Sequence, residues 1–201
     1  MSKVLGLVLA GGQASRMAGE KALRLLRGQT LLEHALVTLA TACDILAVSS
    51  GTRELKLPKG VPALPDMAPF VQQGPLSGIL AGFEYARAQA CDRMLVLACD
   101  LPNVPPALLK LLLTCLPDQD VAFCEHGGQP EPLVCALRVE PMFAKVKHAL
   151  LENRLKVVPL WKAARCGLLV DADLANLGSI ERIFANVNTL DELSREEQAN
   201  P

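Results

Sequence analysis

Short apolar runs separated by stretches of helical pattern constrain this chain more than any other feature. Residues 4–9 read Val-Leu-Gly-Leu-Val-Leu, and 45–48, 94–98, 121–123 and 133–137 are further runs of the same kind. A run without polar alternation suits a strand covered on both faces, as in a parallel sheet between helices. Helical signals fill several of the intervals. Thr30 with Glu33 three residues on is a T-x-x-E capping box, and positions 31, 32, 35, 36 and 39 put apolar side chains on one helical face. Residues 76–90 and 106–115 carry further helical patterns. Strands alternating with helices imply βαβ units and an α/β fold. The segment 131–137 follows its predecessor with no room for a helix, so an antiparallel strand is expected there, making the mostly parallel sheet mixed.

The chain has 201 residues, a length that one large domain spanning 1–201 accommodates, with a polar tail from about residue 194 that is expected to fray. A net charge of -1 gives no reason to expect nucleic acid or an acidic membrane as a partner, and 3% aromatic content leaves few platforms for stacking bases. Seven cysteines include no C-x-x-C pair and are odd in number, which argues against a disulfide framework or a zinc site. The apolar stretch 4–10 is short for a signal peptide, and no run reaches the roughly 18 apolar residues of a membrane span. A cytoplasmic protein is expected.

In open α/β sheets, ligands bind beyond the carboxyl ends of the strands, where this sequence places its least ordinary segments. Leu9-Ala10-Gly11-Gly12 leads into Ser15, Arg16, Gly19 and Lys21. This is not a Walker loop, because Gly19 is followed by Glu20 and Lys21 by Ala22. Bare backbone beside two cations reads either as a phosphate cradle or as an ordinary glycine-rich turn. Asp100, directly after an apolar strand, is either a Mg²⁺ ligand or a local cap. Gly74, Gly78 and Gly82 leave one helix face bare, for a ligand or for tight packing on a sheet. Asp66 lies in a Pro-flanked loop, and Asn186 and Asn188 stand at strand spacing before a helix start at which Asn188 or Thr189 would cap. The three histidines share no metal-ligand spacing, and no serine sits in a G-x-S-x-G elbow.

Together these segments resemble the molybdenum cofactor guanylyltransferases, within the broader nucleotidyltransferases. The likeness is carried in order by residues 9–21, Asp66, 74–79, Cys99-Asp100-Leu101-Pro102, 131–137 and Phe184-Ala185-Asn186-Val187-Asn188-Thr189. It implies a Rossmann-like three-layer α/β/α nucleotidyltransferase fold. The activity it implies is transfer of GMP from MgGTP to molybdenum-bound molybdopterin, with release of pyrophosphate. By the same resemblance Leu9, Ala10, Gly11 and Gly12 contact the nucleotide, Arg16 and Lys21 its phosphates, Asp66 the nucleoside end, and Asp100 the Mg²⁺. Gly78, Asn186 and Asn188 fall to the acceptor side, and Arg154 and Lys156 to the acceptor's phosphate. Molybdenum-insertion and molybdoenzyme-maturation proteins are the implied partners. The sequence departs from the family pattern at Ala18, at Glu20 and at Ser49-Ser50-Gly51, where Asn-Arg is common. The alternatives are cytidylyl transfer to the same pterin, nucleotidyl transfer to a sugar or polyol phosphate, and a non-catalytic nucleotide-binding homologue.

Overall fold

The computed structural model describes residues 3–11 and 21–198. Gly12 and Arg16 therefore lie outside the described residues. The chain runs through β1 (Val4–Leu9), a small hairpin of β2 (Leu25–Leu26) and β3 (Gln29–Thr30), α1 (Leu31–Ala40), β4 (Ile45–Gly51) and β5 (Ala63–Pro65). It continues through α2 (Pro75–Ala88), β6 (Arg93–Ala98), α3 (Pro106–Cys115), β7 (Val121–His126) and β8 (Gln129–Arg138). The last part holds α4 (Val139–Leu151), α5 (Val157–Lys162), β9 (Cys166–Leu169), α6 (Asp171–Leu174), α7 (Ile180–Ile183) and α8 (Leu190–Gln198). Among the described residues no helix is long and apolar enough to cross a membrane.

Seven strands form one sheet in the order β5-β4-β1-β6-β8-β7-β9. β1 lies parallel to β4 on one side and to β6 on the other. β8 runs antiparallel to both β6 and β7, so the expected mixed sheet is present, with its antiparallel member where the missing helix required it. β1 shows why its sequence is apolar throughout. Val4 and Val8 pack in a core with Leu32, Leu36 and Leu39 of α1 and Leu108 and Leu112 of α3. Leu5, Leu7 and Leu9 pack on the opposite face with Ile79 and Phe83 of α2 and Met142 and Val146 of α4. Period-two alternation thus serves two cores, and the result is the three-layer α/β/α arrangement.

Local signals hold where they were legible. Thr30 caps α1 through a bond from the Glu33 amide to Thr30 Oγ1 (3.1 Å), and the Thr30 amide donates to Glu33 Oε2 in return (2.7 Å). Trp161 is fully buried, with its indole N–H donating to the Pro132 carbonyl at 3.0 Å. The bare face of α2 presses on the sheet: a Cβ at Gly82 would lie 2.5 Å from Leu7 Cδ2 and 3.0 Å from Met94 Sδ. Overpacking of this kind costs about 1–3 kcal/mol. Gly82→Ala is therefore expected to lower unfolding stability by about that amount, read as a reduced urea midpoint at unchanged m-value.

Candidate active site

From β1 the chain first moves to β4 and β5, then returns to pair β6 on the other flank of β1. The strand order reverses between β1 and β6, and beyond such a reversal the loops diverge and leave a crevice. Both edges of that crevice are built by main chain. Beyond β1, the Ala10 amide donates to the Ser49 carbonyl at 3.1 Å. Gly11 follows so close to β4 that a Cβ there would sit 2.8 Å from the Gly51 nitrogen. Only glycine fits at that approach. Beyond β6, the Cys99 amide donates to the Leu9 carbonyl at 3.2 Å, which carries the ladder one residue past the strand and delivers Asp100 to the crevice.

Asp100 Oδ2 accepts from Lys21 Nζ at 2.7 Å, with the two side chains 24% and 16% exposed. Lys21 Nζ also donates to Asn188 Oδ1. Three residues from distant parts of the chain therefore meet on one ammonium group. Asn188 is itself held firmly. Its carbonyl accepts from Arg24 Nη1 at 3.0 Å, and its amide and that of Thr189 donate to Glu192 Oε2 at 2.6 and 2.9 Å. The amide bond from Asn188, then that from Thr189, holds the Glu192 carboxyl below the usual carboxylate range. Between the asparagines, Val187 is fully buried and its amide donates to the Asp100 carbonyl at 2.9 Å. The segment 184–188 is not a strand, but its main chain is strapped to the Asp100 turn. Asn186 is exposed, while Asn188 joins Lys21 and Thr189 caps α8 by accepting from the Glu192 amide at 3.1 Å.

Next to this cluster is an open pocket whose walls include Leu9, Gly11, Gly51, Arg53, Asp66 and Gly78. Asp66 is not a merely solvated turn residue. Its amide donates to the Gly51 carbonyl at 2.8 Å, and its Oδ2 accepts from the Gln72 amide at 2.8 Å. Gly78, expected on the acceptor side, lines this same pocket, where a Cβ would come 2.2 Å from Ser49 Oγ. Arg154 and Lys156 line a second pocket of about 330 Å³ with Asn153, Leu155, Pro159 and Leu160. There the Arg154 guanidinium pairs with Glu152 at 2.6 Å. These two residues lie past the end of α4, not on a helix face.

Among the described residues no three of His, Cys, Asp and Glu gather as a metal cage. Asp100 instead offers one carboxylate, which suits Mg²⁺, a cation that binds through one or two carboxylates plus substrate phosphates. Cys99 adjoins Asp100 but is buried, and burial, with the Asp100 charge adding to it, pushes its thiol up to about 12. It is not a nucleophile at neutral pH.

Residues 6–162 match the MobA-like NTP transferase domain. The chain belongs to the MobA-like NTP transferase family. A probable molybdenum cofactor guanylyltransferase from Pelotomaculum thermopropionicum is 31% identical over 193 residues, covering 96% of this chain and 91% of that protein. A molybdenum cofactor guanylyltransferase from a Bradyrhizobium species is 34% identical over 166 residues, covering 80% and 77%. The crystal structure of molybdopterin-guanine dinucleotide biosynthesis protein A from Archaeoglobus fulgidus shares the fold, with a TM-score of 0.76 at 22% identity over 97% of both chains.

Within this NTP transferase, Arg24 and Glu192 are site residues that motif reading missed. Glu192 had a local signal, because Thr189 and Glu192 repeat the T-x-x-E spacing of Thr30 and Glu33. Arg24 had none, since its contact with Asn188 joins segments 164 residues apart. The buried Cys99 thiol supplies a check on the geometry beside Asp100. Iodoacetamide treatment of the native protein at pH 8, followed by peptide mass spectrometry, is expected to leave Cys99 unlabelled until denaturant is added.

Proposed function

We propose that this transferase moves GMP from MgGTP to the terminal phosphate of molybdenum-bound molybdopterin. The observation that carries the reading is the meeting of Lys21, Asp100 and Asn188 at the β1–β6 crevice, beside a pocket that includes Leu9, Gly11 and Asp66. The guanylyl and molybdopterin parts of the proposal draw on the relatives that carry those names. In the reaction, an oxygen of the acceptor's terminal phosphate forms a bond to the α-phosphorus of GTP. The bond from that phosphorus to the β-bridging oxygen breaks, and pyrophosphate leaves with the electron pair. The attacking phosphate is already anionic at neutral pH, so no protein base is required.

Positioning and charge neutralisation are then the protein's main tasks. Gly11 leaves the backbone bare where the nucleotide approaches, and Asp66, its carboxylate oriented by the Gln72 amide, faces the nucleoside end. Lys21 supplies ammonium protons to the α-phosphate region and to the departing pyrophosphate, with Arg16 assigned the same task by family likeness. Asp100 would hold Mg²⁺, which when bound supplies electrostatic stabilisation to the phosphates. Asn188 orients Lys21, and the second pocket offers Arg154 and Lys156 to an anionic acceptor.

The test is pyrophosphate release from purified protein supplied with molybdenum-bound molybdopterin and each NTP in turn, with GTP expected to be the productive substrate. A preference for CTP would overturn the guanylyl assignment, and the Ser49-Ser50-Gly51 segment in the pocket wall would be the first place to look for its cause. Asp100→Ala and Lys21→Ala are each expected to reduce turnover by about 100-fold or more with circular dichroism unchanged, since electrostatic groups at such centres contribute on that order. Near wild-type turnover in either variant would contradict the proposed roles.

A further inference from the structure

The segment Glu131-Pro132-Leu133, one of those carrying the family likeness, has no role in the reaction as derived so far. Its place in the sheet gives it one. β6 and β8 run antiparallel with Leu97 opposite Val134; Asp100 stands three residues after Leu97 and Glu131 three residues before Val134, both toward the same end of the sheet. β8 is irregular just here. Phe123 of β7 pairs with Cys135, but the next residue, Cys124, pairs with Glu131, so residues 132–134 are taken up in a bulge. Bulges next to active sites re-aim side chains and end regular pairing.

The Glu131 carboxylate is 20% exposed, and its one described ionic partner is His126 Nε2 at 3.8 Å. His126 is in turn stacked on Phe184, with ring centroids 5.0 Å apart and 11° between planes. Phe184 opens the segment whose Val187 amide binds the Asp100 carbonyl. Glu131, His126 and Phe184 thus form one wall of the Asp100 crevice. Burial raises the Glu131 carboxyl; His126 opposes that rise and the Asp100 charge adds to it. Two carboxylates placed toward one end of the sheet beside a phosphate-handling crevice suit a cation that lies near both. Lys21 contacts Asp100 but not Glu131 among the contacts described. Mg²⁺ keeps several water ligands, so a second carboxylate near its site could act on it without coordinating it directly.

We propose that Glu131 is the second carboxylate of the Asp100 cation site, positioning Mg²⁺ through its water ligands. The proposal rests on the nucleotidyl-transfer reading, and its test separates the two. Calorimetry would give the affinity of α,β-methylene GTP, which cannot be cleaved at the reacting bond, for wild type, Glu131→Gln and Asp100→Asn, each with Mg²⁺ and with EDTA. Mg²⁺ is expected to tighten binding to wild type. In Glu131→Gln that gain should shrink about tenfold, as for other outer partners of metal sites, while affinity in EDTA stays unchanged. An equal loss in both conditions, or a full Mg²⁺ gain, would overturn the proposal. If Glu131→Gln does not fold, Glu131→Asp serves, and should lose part of the gain while keeping the EDTA affinity. Repeating the series with α,β-methylene CTP keeps the readings distinct. Tighter binding of the cytidine analogue would refute the guanylyl assignment, while the Mg²⁺-to-EDTA ratio would still decide the role of Glu131.

Discussion

A strand buried on both faces has no room for a polar side chain until it ends, and β1 and most of β6 are such strands. Polar chemistry is therefore pushed to their carboxyl ends. The reversal of strand order between β1 and β6 then holds those two ends side by side while the chain beyond each diverges. Asp100 reaches the crevice because the Cys99 amide still bonds to the Leu9 carbonyl one residue past β6. The site is thus a consequence of where regular pairing stops.

Much of this was legible in the sequence because the signals were local or periodic. Unbroken apolar runs marked β1, β4, β6 and β8, the T-x-x-E spacing marked the start of α1, and the short link before β8 marked its antiparallel direction. β5 and β9 were not seen. They are edge strands of three and four residues, too short to show a period. Site residues divide in the same way. Lys21, Asp100 and Asn188 belong to recognisable segments, but nothing local says that one ammonium joins all three. Gly78 had two readings, and the structure shows it packed against Ser49 while lining the pocket with Leu9 and Asp66. The Glu131 segment was legible as a motif, but the place of Glu131 relative to Asp100 depends on the register of β8 against β6 and on the irregularity of β8 against β7.

The last helix extends the same logic to the far side of the Asp100 turn. α8 is short and largely polar, and its Leu193 packs against Leu26, Leu31 and Val187. Glu196 adds polar contacts. Its carboxylate accepts from Asn103 Nδ2 at 2.9 Å and lies within 3.8 Å of Arg27 and 3.7 Å of Arg182. One glutamate therefore ties α8 to the β2–β3 hairpin, to α7 and to the loop after Asp100. Asn188, at the amino end of α8, is held in turn by Arg24 and by Glu192.

The Lys21–Asp100 pair also explains how such a site can be ordered and still receive charged ligands. Partly exposed ion pairs contribute little net stability, about 0–1 kcal/mol, because water competes for both partners. Separating them costs correspondingly little. Each partner has its own second restraint: Lys21 is steered by Asn188, and Asp100 is fixed through its main chain by Val187. In the proposed reaction, where a phosphate would engage the ammonium and a cation the carboxylate, the direct contact could be exchanged without either group losing its place. An arrangement held only by the ion pair would lose its geometry on binding; one held by neighbouring amides keeps it.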